Sequence, residues 1–170
     1  SRECVDALMA GVNMMLMPGV GISFAGAGMT SPNGACHTFD SRADGYARGE
    51  ACSTAALSTD PSKAHGLPSE LGSAVRCDGK SASLTAPNGQ AQQALIAAAL
   101  ADASTAAVAM SSAEAHGTGT ALGDPIETRS LAGAVLSKRR GGVALALSSF
   151  KANIGHGEPV AGASGLLNLV

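Results

Sequence analysis

The stretch EAHGTGTALGDPIE, residues 114–127, decides the prediction of the fold. It crowds three glycines, two threonines and one histidine between two segments of regular structure. The short apolar run Ala107–Ser111 before it is typical of a strand. A helix is predicted to begin inside it, with Asp124 as N-cap, Pro125 at the first helical position and Glu127 at the third. The local order is therefore strand, histidine loop, helix.

The same order recurs once. The helix that begins at Asp124 is expected to run to about Ser137, and Val143–Ser148 is typical of a second strand. That strand leads into SFKANIGHGE, residues 149–158, and another helix is expected from Pro159. Strands joined by a crossover helix are parallel, so both histidine loops are predicted to lie at one carboxyl edge of one sheet.

His116 and His156 are therefore the candidate functional pair. Open α/β sheets bind ligands at the carboxyl edge of their strands. Two imidazoles beside two helix N-termini suit a developing negative charge. His37 and His65 have no such context and are expected to be ordinary loop histidines.

The rest of the chain alternates apolar runs with polar turns. A buried strand, a short helix, a long ordered loop, two strands and an alanine-rich helix are predicted, in this order: Val5–Leu16, Ile22–Ala27, Thr30–Glu50, Ala51–Leu57, Leu71–Arg76 and Gln90–Ala103. Long loops inside compact domains are often functional. An internal boundary is expected between residues 84 and 85, near the Pro87-Asn88-Gly89 turn.

Composition narrows the function classes. The 170 residues are 45% hydrophobic with 22 glycines, which favours a soluble α/β fold. A net charge of −2 offers no basic surface for nucleic acid, and no apolar run is long enough to span a bilayer. Four scattered cysteines without a Cys-x-x-Cys pair indicate a reduced intracellular protein and no metal site.

Common nucleotide and hydrolase motifs do not fit. Gly117, Gly119 and Gly123 miss the dinucleotide fingerprint, which needs its last glycine at Leu122. Neither a phosphate-binding Gly-x-x-x-x-Gly-Lys-Ser/Thr loop nor a Gly-x-Ser-x-Gly elbow occurs. Another chemistry is needed for the histidine pair.

Four stretches together resemble the β-ketoacyl synthase family, the condensing domains of polyketide and fatty acid synthases. They span most of the chain: EAHGTGTALGDPIE, SSFKANIGHGE, CHTFDSRADGYARGE and LTAPNGQAQ. The resemblance implies a thiolase-like layered α/β/α fold built from two related halves. Residues 1–84 would be the C-terminal part of the first half, and residues 85–170 the start of the second. The opening at Ser1 and the apolar end GLLNLV lead us to expect a fragment.

The resemblance also implies roles for individual residues in a decarboxylative Claisen condensation. His116 and His156 match the two histidines of a cysteine–histidine–histidine triad, and would donate hydrogen bonds to a malonyl thioester as it becomes an enolate. Lys151 and Glu127 match a lysine and a glutamate that pair. Glu127 could instead, or also, close a capping box. Thr118 and Thr120 resemble the hydroxyls that bind the phosphopantetheine arm.

The nucleophilic cysteine of the family is not matched. It belongs to a Thr-Ala-Cys-Ser-Ser type segment, whereas the cysteines here lie in unrelated contexts: Cys4, Cys36, Cys52 and Cys77. Without that thiol, acyl transfer and condensation have no nucleophile. The fragment alone is therefore expected to be inactive, and to fold poorly because its sheets would lack strands.

The implied partners are acyl carrier protein and, in the full-length protein, a second copy in a homodimer. No cofactor is expected to bind directly, since substrates arrive on carrier-bound phosphopantetheine. A cytoplasmic location is expected, or a plastid one if a targeting segment lies upstream. Three alternatives stay open: a fatty acid synthase ketosynthase, a non-catalytic ketosynthase-like partner and, ranked below them, a thiolase.

Overall fold

The computed structural model describes residues 4–63, 65–81, 83, 86–139 and 144–170. These residues form two small sheets with helices between and beside them. The strands and helices are β1 Asp6–Asn13, α1 Pro18–Gly26, β2 Ala51–Ser58, α2 Gly89–Asp102, β3 Ser112–Glu114, α3 Gly123–Ala134, β4 Ala146–Ser148, α4 Lys151–Ile154 and α5 Ala161–Asn168. No helix in these residues is both long and apolar enough to cross a bilayer.

The first sheet pairs β1 with β2 in antiparallel register, from Asp6 opposite Ser58 to Asn13 opposite Ala51. Both strands were predicted, but the prediction that the first one is buried is wrong, because Leu8 is 75% exposed. The sheet has only two strands, and the segment around Val160 packs on one of its faces, against Gly11. The other face of β1 is therefore left uncovered in the described chain.

The strand predicted at Leu71–Arg76 is wrong, because this stretch is irregular. Gly72 packs so closely on the backbone of Ala103 that a Cβ at this position would clash with the Ala103 nitrogen. The Ser73 N–H donates to the carboxylate of Asp102 at 2.9 Å. These contacts tie the stretch to the C-terminal end of α2, not to a sheet.

The second sheet pairs β3 with β4 in parallel, as predicted. Its strands are shorter than expected and begin later, and Val143 lies outside the described residues. The predicted strand Ala107–Ser111 is wrong, because Ala107–Ala109 form a 3-10 turn. Ala107 is buried against Ala134 and Val135, so its apolar character reflects the core and not a strand.

The helices α2 and α3 supply this core. Asn88 caps α2 with its side-chain oxygen, which accepts the N–H groups of Gln90 and Ala91. The Ser130 hydroxyl of α3 donates to the Gly89 carbonyl at 3.1 Å and so joins the two helices. Partly buried hydrophobic residues complete the cluster: Ile96, Leu100, Met110, Leu131 and Leu145.

The predicted long loop between α1 and β2 is confirmed. Residues 30–50 contain no helix or strand, only isolated bridges from Thr30 to Tyr46 and from Arg48 to His156. The second bridge brings this loop onto one of the predicted histidines. The boundary expected between residues 84 and 85 stays a prediction, since both residues lie outside the described part.

Candidate active site

The two predicted histidines lie together. Their ring centroids are 5.1 Å apart and the rings cross at 87°. His116 belongs to the first histidine loop, residues 115–122, which follows β3. His156 belongs to the second histidine loop, residues 149–157, which follows β4. The parallel pairing of β3 and β4 brings both loops to one edge, as the sequence predicted.

A buried carboxylate holds the first histidine loop to the loop of residues 30–50. Asp124 is 4% exposed and accepts the N–H of Gly119 at 3.1 Å, of Thr120 at 3.3 Å and of Phe39 at 2.8 Å. The prediction of Asp124 as N-cap is wrong, since α3 begins at Gly123 and no side chain caps it. The carboxylate is directed at loop amides instead, where three N–H groups satisfy it.

Glu127 has a related task one turn further along α3. Its two oxygens accept the N–H of His116 at 2.6 Å and of Gly117 at 2.8 Å. The capping-box prediction is therefore wrong. The expected ion pair with Lys151 is not formed either: the ion pairs among the described residues are Arg42–Asp40, Arg48–Glu158 and Lys63–Asp6. The physical reason is that both carboxylate oxygens already bind the backbone of the histidine loop.

The glycines of the first histidine loop are required by close approach. Gly117 and Gly119 adopt φ values of +46° and +81°. A Cβ on Gly117 would lie 2.6 Å from the Cβ of Ser149, and one on Gly119 would lie 2.7 Å from the nitrogen of His37. Only glycine combines the left-handed backbone with this packing.

The second histidine loop is held by backbone pairing. The His156 N–H donates to the Ala47 carbonyl at 2.7 Å, and the Gly49 N–H donates to the His156 carbonyl at 3.0 Å. The Glu158 N–H donates to Nδ1 of His156 at 3.2 Å. Because Nδ1 accepts, a neutral imidazole at this position carries its proton on Nε2. His156 is therefore fixed as an Nε2–H donor.

Lys151 is buried, with 2% of its surface exposed, and is near enough for its charge to act on both imidazoles. Burial lowers the pKa of its ammonium, while the charges of Glu114 and Glu127 oppose that shift. Glu114 also accepts the Phe150 N–H at 2.8 Å and the Ser148 hydroxyl at 2.9 Å. It thereby links the end of β3 to the segment that carries Lys151.

Both imidazoles are kept neutral. His116 is exposed as a residue, yet the protein around its ring removes water from it. This desolvation is the main cause that lowers the pKa of His116, and the positive charge of Lys151 is the second. The pKa of His156 is lowered to about 4. Desolvation is the largest cause, and electrostatic repulsion from His116 and Lys151 adds to it. A buried lysine beside the pair thus acts on the imidazoles in the predicted direction.

The two predicted phosphopantetheine threonines are packed into the protein. Thr118 is 7% exposed, and its hydroxyl lies 3.5 Å from that of Thr120. The Thr120 hydroxyl accepts the Gly123 N–H at 3.1 Å, at the start of α3. The two hydroxyls therefore lie side by side between His116 and α3, and their predicted binding role stays a prediction.

Sequence reasoning missed the residues that the loop of 30–50 contributes. The Tyr46 ring packs edge-on against His156, with centroids 5.1 Å apart. Arg48 and Cys36 also lie here, and burial raises the pKa of the Cys36 thiol. The density of turn formers and charges in this loop was the available signal, but it does not indicate which residues turn inward. His37 and His65 take no part in the ring contacts of the described chain.

The site is thus a pair of neutral, crossed imidazoles near a buried lysine, at the edge of a parallel sheet. Such an arrangement can donate N–H groups to an oxyanion. In the described residues, no cluster of three or more histidine, cysteine, aspartate or glutamate side chains could hold a metal ion.

Comparison with known families agrees with this geometry. Residues 69–170 match the model of the beta-ketoacyl synthase C-terminal domain, and residues 1–62 match that of the N-terminal domain. The chain belongs to the β-ketoacyl synthase family. The predicted resemblance is confirmed.

Individual relatives narrow the comparison to polyketide synthases. The chain is 47% identical over 173 residues to one phenolphthiocerol/phthiocerol polyketide synthase polypeptide of Mycobacterium tuberculosis, and 42% identical over 175 residues to a second one. These alignments cover 99% and 100% of this chain but 8% and 9% of those proteins. The chain therefore spans less than a tenth of the length of these relatives.

Solved structures give the same result. The ketosynthase from module 6 of the bacillaene synthase of Bacillus subtilis superimposes with a TM-score of 0.91 at 32% identity, over 99% of this chain and 31% of that one. The oxazolomycin ketosynthase domain of Streptomyces albus gives 0.89 at 33% identity, over 98% and 29%. The predicted thiolase-like fold is confirmed.

Proposed function

We propose that this chain supplies the enolate-stabilising half of a polyketide ketosynthase active site. The observation that carries the proposal is the crossed pair of neutral imidazoles, 5.1 Å apart, on which the charge of the buried Lys151 acts. His156 presents Nε2–H because the Glu158 N–H occupies Nδ1. A donor of this kind stabilises an oxyanion that forms on a thioester carbonyl.

The proposed reaction has two steps: decarboxylation of the malonyl group to an enolate, and attack of that enolate on an acyl thioester. The bond between the malonyl carboxylate and its α-carbon breaks and releases carbon dioxide. The electron pair moves onto the thioester carbonyl, whose oxygen becomes the enolate held by His116 and His156. The enolate carbon then attacks an acyl thioester on the enzyme and expels the cysteine thiolate.

The cysteine that carries the acyl group, and that leaves as the thiolate in this last step, is proposed to lie outside these 170 residues. None of the four cysteines here lies in a Thr-Ala-Cys-Ser-Ser type segment. Burial raises the pKa of the Cys36 thiol, which opposes thiolate formation. The chain taken alone is accordingly proposed to lack condensing activity.

The proposed partner is acyl carrier protein, whose phosphopantetheine arm would bring the malonyl group. Thr118 and Thr120, side by side between His116 and α3, are proposed to bind that arm. A homodimer is proposed for the complete protein. The polyketide names of the relatives favour this pathway over fatty acid synthesis and over a non-catalytic partner protein.

The test is decarboxylation of malonyl carrier protein by the complete polypeptide that contains this sequence. His116→Ala and His156→Ala are each expected to lower carbon dioxide release by ~10²–10³, the usual cost of one oxyanion donor. His65→Ala is the matched control, since His65 is exposed and far along the chain from both loops. Unchanged release in both site variants would show that the histidines are structural and would overturn the proposal.

A further inference from the structure

A part-buried ion pair joins the loop of residues 30–50 to the segment that follows His156. Arg48 Nε lies 2.6 Å from Glu158 Oε1, and Arg48 Nη2 lies 3.1 Å from Oε2. The two side chains are 13% and 17% exposed. A guanidinium fork bound to both carboxylate oxygens fixes the orientation of its partner, which a single contact does not.

The carboxylate partner has an unfavourable backbone. Glu158 adopts φ +46°, a left-handed conformation that is unfavourable for an L-residue other than glycine. It also precedes Pro159, and the residue before proline prefers extended backbone. The surrounding structure must hold Glu158 in this conformation. The Arg48 fork is the side-chain contact that does so.

The strained residue is also the one that orients the histidine. In this conformation the Glu158 N–H reaches Nδ1 of His156 at 3.2 Å. Arg48 is tied to the same place through its backbone, which bridges in parallel to His156. Its guanidinium lies 5.3 Å from the centroid of the Phe24 ring, so the fork is itself supported.

We infer that Arg48 and Glu158 form a positioning pair, which holds the Glu158 N–H on Nδ1 of His156 and so keeps the Nε2 proton directed at the enolate. The inference rests on the proposed function. Neither side chain is expected to touch the substrate, and both act through the imidazole. Losing the pair lets residue 158 leave its left-handed conformation, and Nδ1 loses its donor.

The test compares Arg48→Ala with Arg42→Ala in the complete polypeptide that contains this sequence. Arg42 is the matched control, because it pairs with Asp40 in the same loop but its side chain is 70% exposed. Arg48→Ala is expected to lower kcat for malonyl decarboxylation roughly tenfold, less than removal of the donor itself, with KM little changed. Arg42→Ala is expected to leave both constants near wild type.

Two further readouts separate positioning from general loss of structure. Glycine tolerates φ +46° without support, so adding Glu158→Gly to Arg48→Ala is expected to recover several-fold of the lost kcat. The acid limb of the pH–rate profile is expected to move to higher pH in Arg48→Ala, because Nδ1 loses an N–H that opposes protonation and because the unpaired Glu158 carboxylate favours the protonated imidazole. The other titratable groups around this ring, Tyr46, His116, Lys151 and Glu158, are identical in the control variant.

The outcomes are distinguishable. If wild-type protein releases no carbon dioxide, the proposed function fails. If wild type is active and Arg48→Ala matches Arg42→Ala, the positioning pair is wrong although the function stands. Loss of kcat without recovery by Glu158→Gly and without a shifted acid limb would also overturn the inference. The Arg48→Lys variant, which keeps the charge but not the fork, is expected to fall between wild type and alanine.

Discussion

The two histidine loops reach one site by different means. In the first, carboxylates of α3 bind the loop amides: Asp124 accepts three N–H groups and Glu127 accepts two. In the second, the backbone pairs with residues 47–49 and the Arg48–Glu158 pair adds a side-chain contact. The first loop therefore depends on side-chain acceptors of α3, and the second on main-chain geometry. Substitutions should affect the two loops unequally.

The largest effect on stability is expected for Asp124→Ala. The change leaves three N–H groups without their acceptor in a site where Asp124 was 4% exposed. A buried group left unsatisfied costs ~1–3 kcal/mol, so we expect the free energy of unfolding to fall by roughly 3 kcal/mol or more. Urea denaturation of wild type and variant, each as the complete polypeptide that contains this sequence, measures it.

Asp40→Ala is the control for this change. Asp40 also accepts a backbone N–H, that of Arg42, but this hydrogen bond is exposed to solvent. Its other partner is the guanidinium of the same Arg42. We expect little or no change in stability there. Equal losses for Asp124→Ala and Asp40→Ala would mean that burial of the carboxylate is unimportant, and the contrast between the loops would fail.

A somewhat smaller loss is expected for Gly119→Ala, about 2 kcal/mol. The methyl group must adopt φ +81° and would lie 2.7 Å from the nitrogen of His37. Gly34→Ala is the control, because Gly34 has φ +64° and nothing within 4 Å of the new Cβ. It measures the backbone cost alone. The difference between the two variants, read from urea denaturation, isolates the packing.

Gly155→Ala extends this test to the second loop. Gly155 has φ +78°, but its Cβ would lie 3.0 Å from the Ala47 carbonyl oxygen, a contact that is tight but less severe. We expect its cost to lie between those of Gly34→Ala and Gly119→Ala. A Gly155→Ala cost above that of Gly119→Ala would reverse the order of tightness proposed for the loops.

The sequence predicted the part of the site that depends on local patterns of consecutive residues. Strand, glycine-rich histidine loop and helix recur in order, and two such units in parallel bring His116 and His156 together. Lys151 was singled out only through the family resemblance. No periodicity indicates that a lysine will be buried.

What the sequence did not predict depends on contacts between distant segments. Asp124 and Glu127 sit at ideal capping positions, and local rules assign their oxygens to the helix N-terminus. Tertiary packing offers them loop amides instead. Arg48 and Tyr46 lie in a stretch without periodicity, so their approach to His156, more than 100 residues away, leaves no local signal. The same holds for Leu71–Arg76. Its apolar residues are typical of a strand, but in the structure the stretch packs against the C-terminal end of α2.

The pH dependence of stability should distinguish the two imidazoles. The pKa of His156 is lowered from 6.5 to about 4, so between these values the folded protein binds fewer protons there than the unfolded chain. The contribution of His156 to the free energy of unfolding is therefore fully present above about pH 6.5 and is lost as the pH falls toward 4. His156→Gln is expected to remove part of this acid slope in unfolding experiments from pH 7 to 4.5.

His116→Gln is the companion variant. The pKa of His116 is lowered too, by desolvation and by Lys151, and the slope it removes has the same sign. We expect it to be smaller, because the shift at His156 is the large one. An acid slope that both variants leave unchanged would mean that the imidazoles are not desolvated in the folded protein.

The smallest effect is expected at the direct link between the loops. The Ser149 hydroxyl, at the start of the second histidine loop, donates to the His116 carbonyl at 3.2 Å. Ser149→Ala removes one neutral hydrogen bond and leaves a carbonyl that Glu127 does not contact, so the free energy of unfolding should fall by about 1 kcal/mol. The measurement is again urea denaturation.

This link decides whether the loops are braced separately. If they are, Ser149→Ala and Asp124→Ala should add within ~0.5 kcal/mol in the double variant, because each loop keeps its own contacts. A coupling well above that value would mean that Asp124 reaches the second loop through Ser149. His116 and His156 would then be positioned by one continuous hydrogen-bond network. The carboxylate contacts of the first loop and the backbone pairing of the second would be two parts of that network.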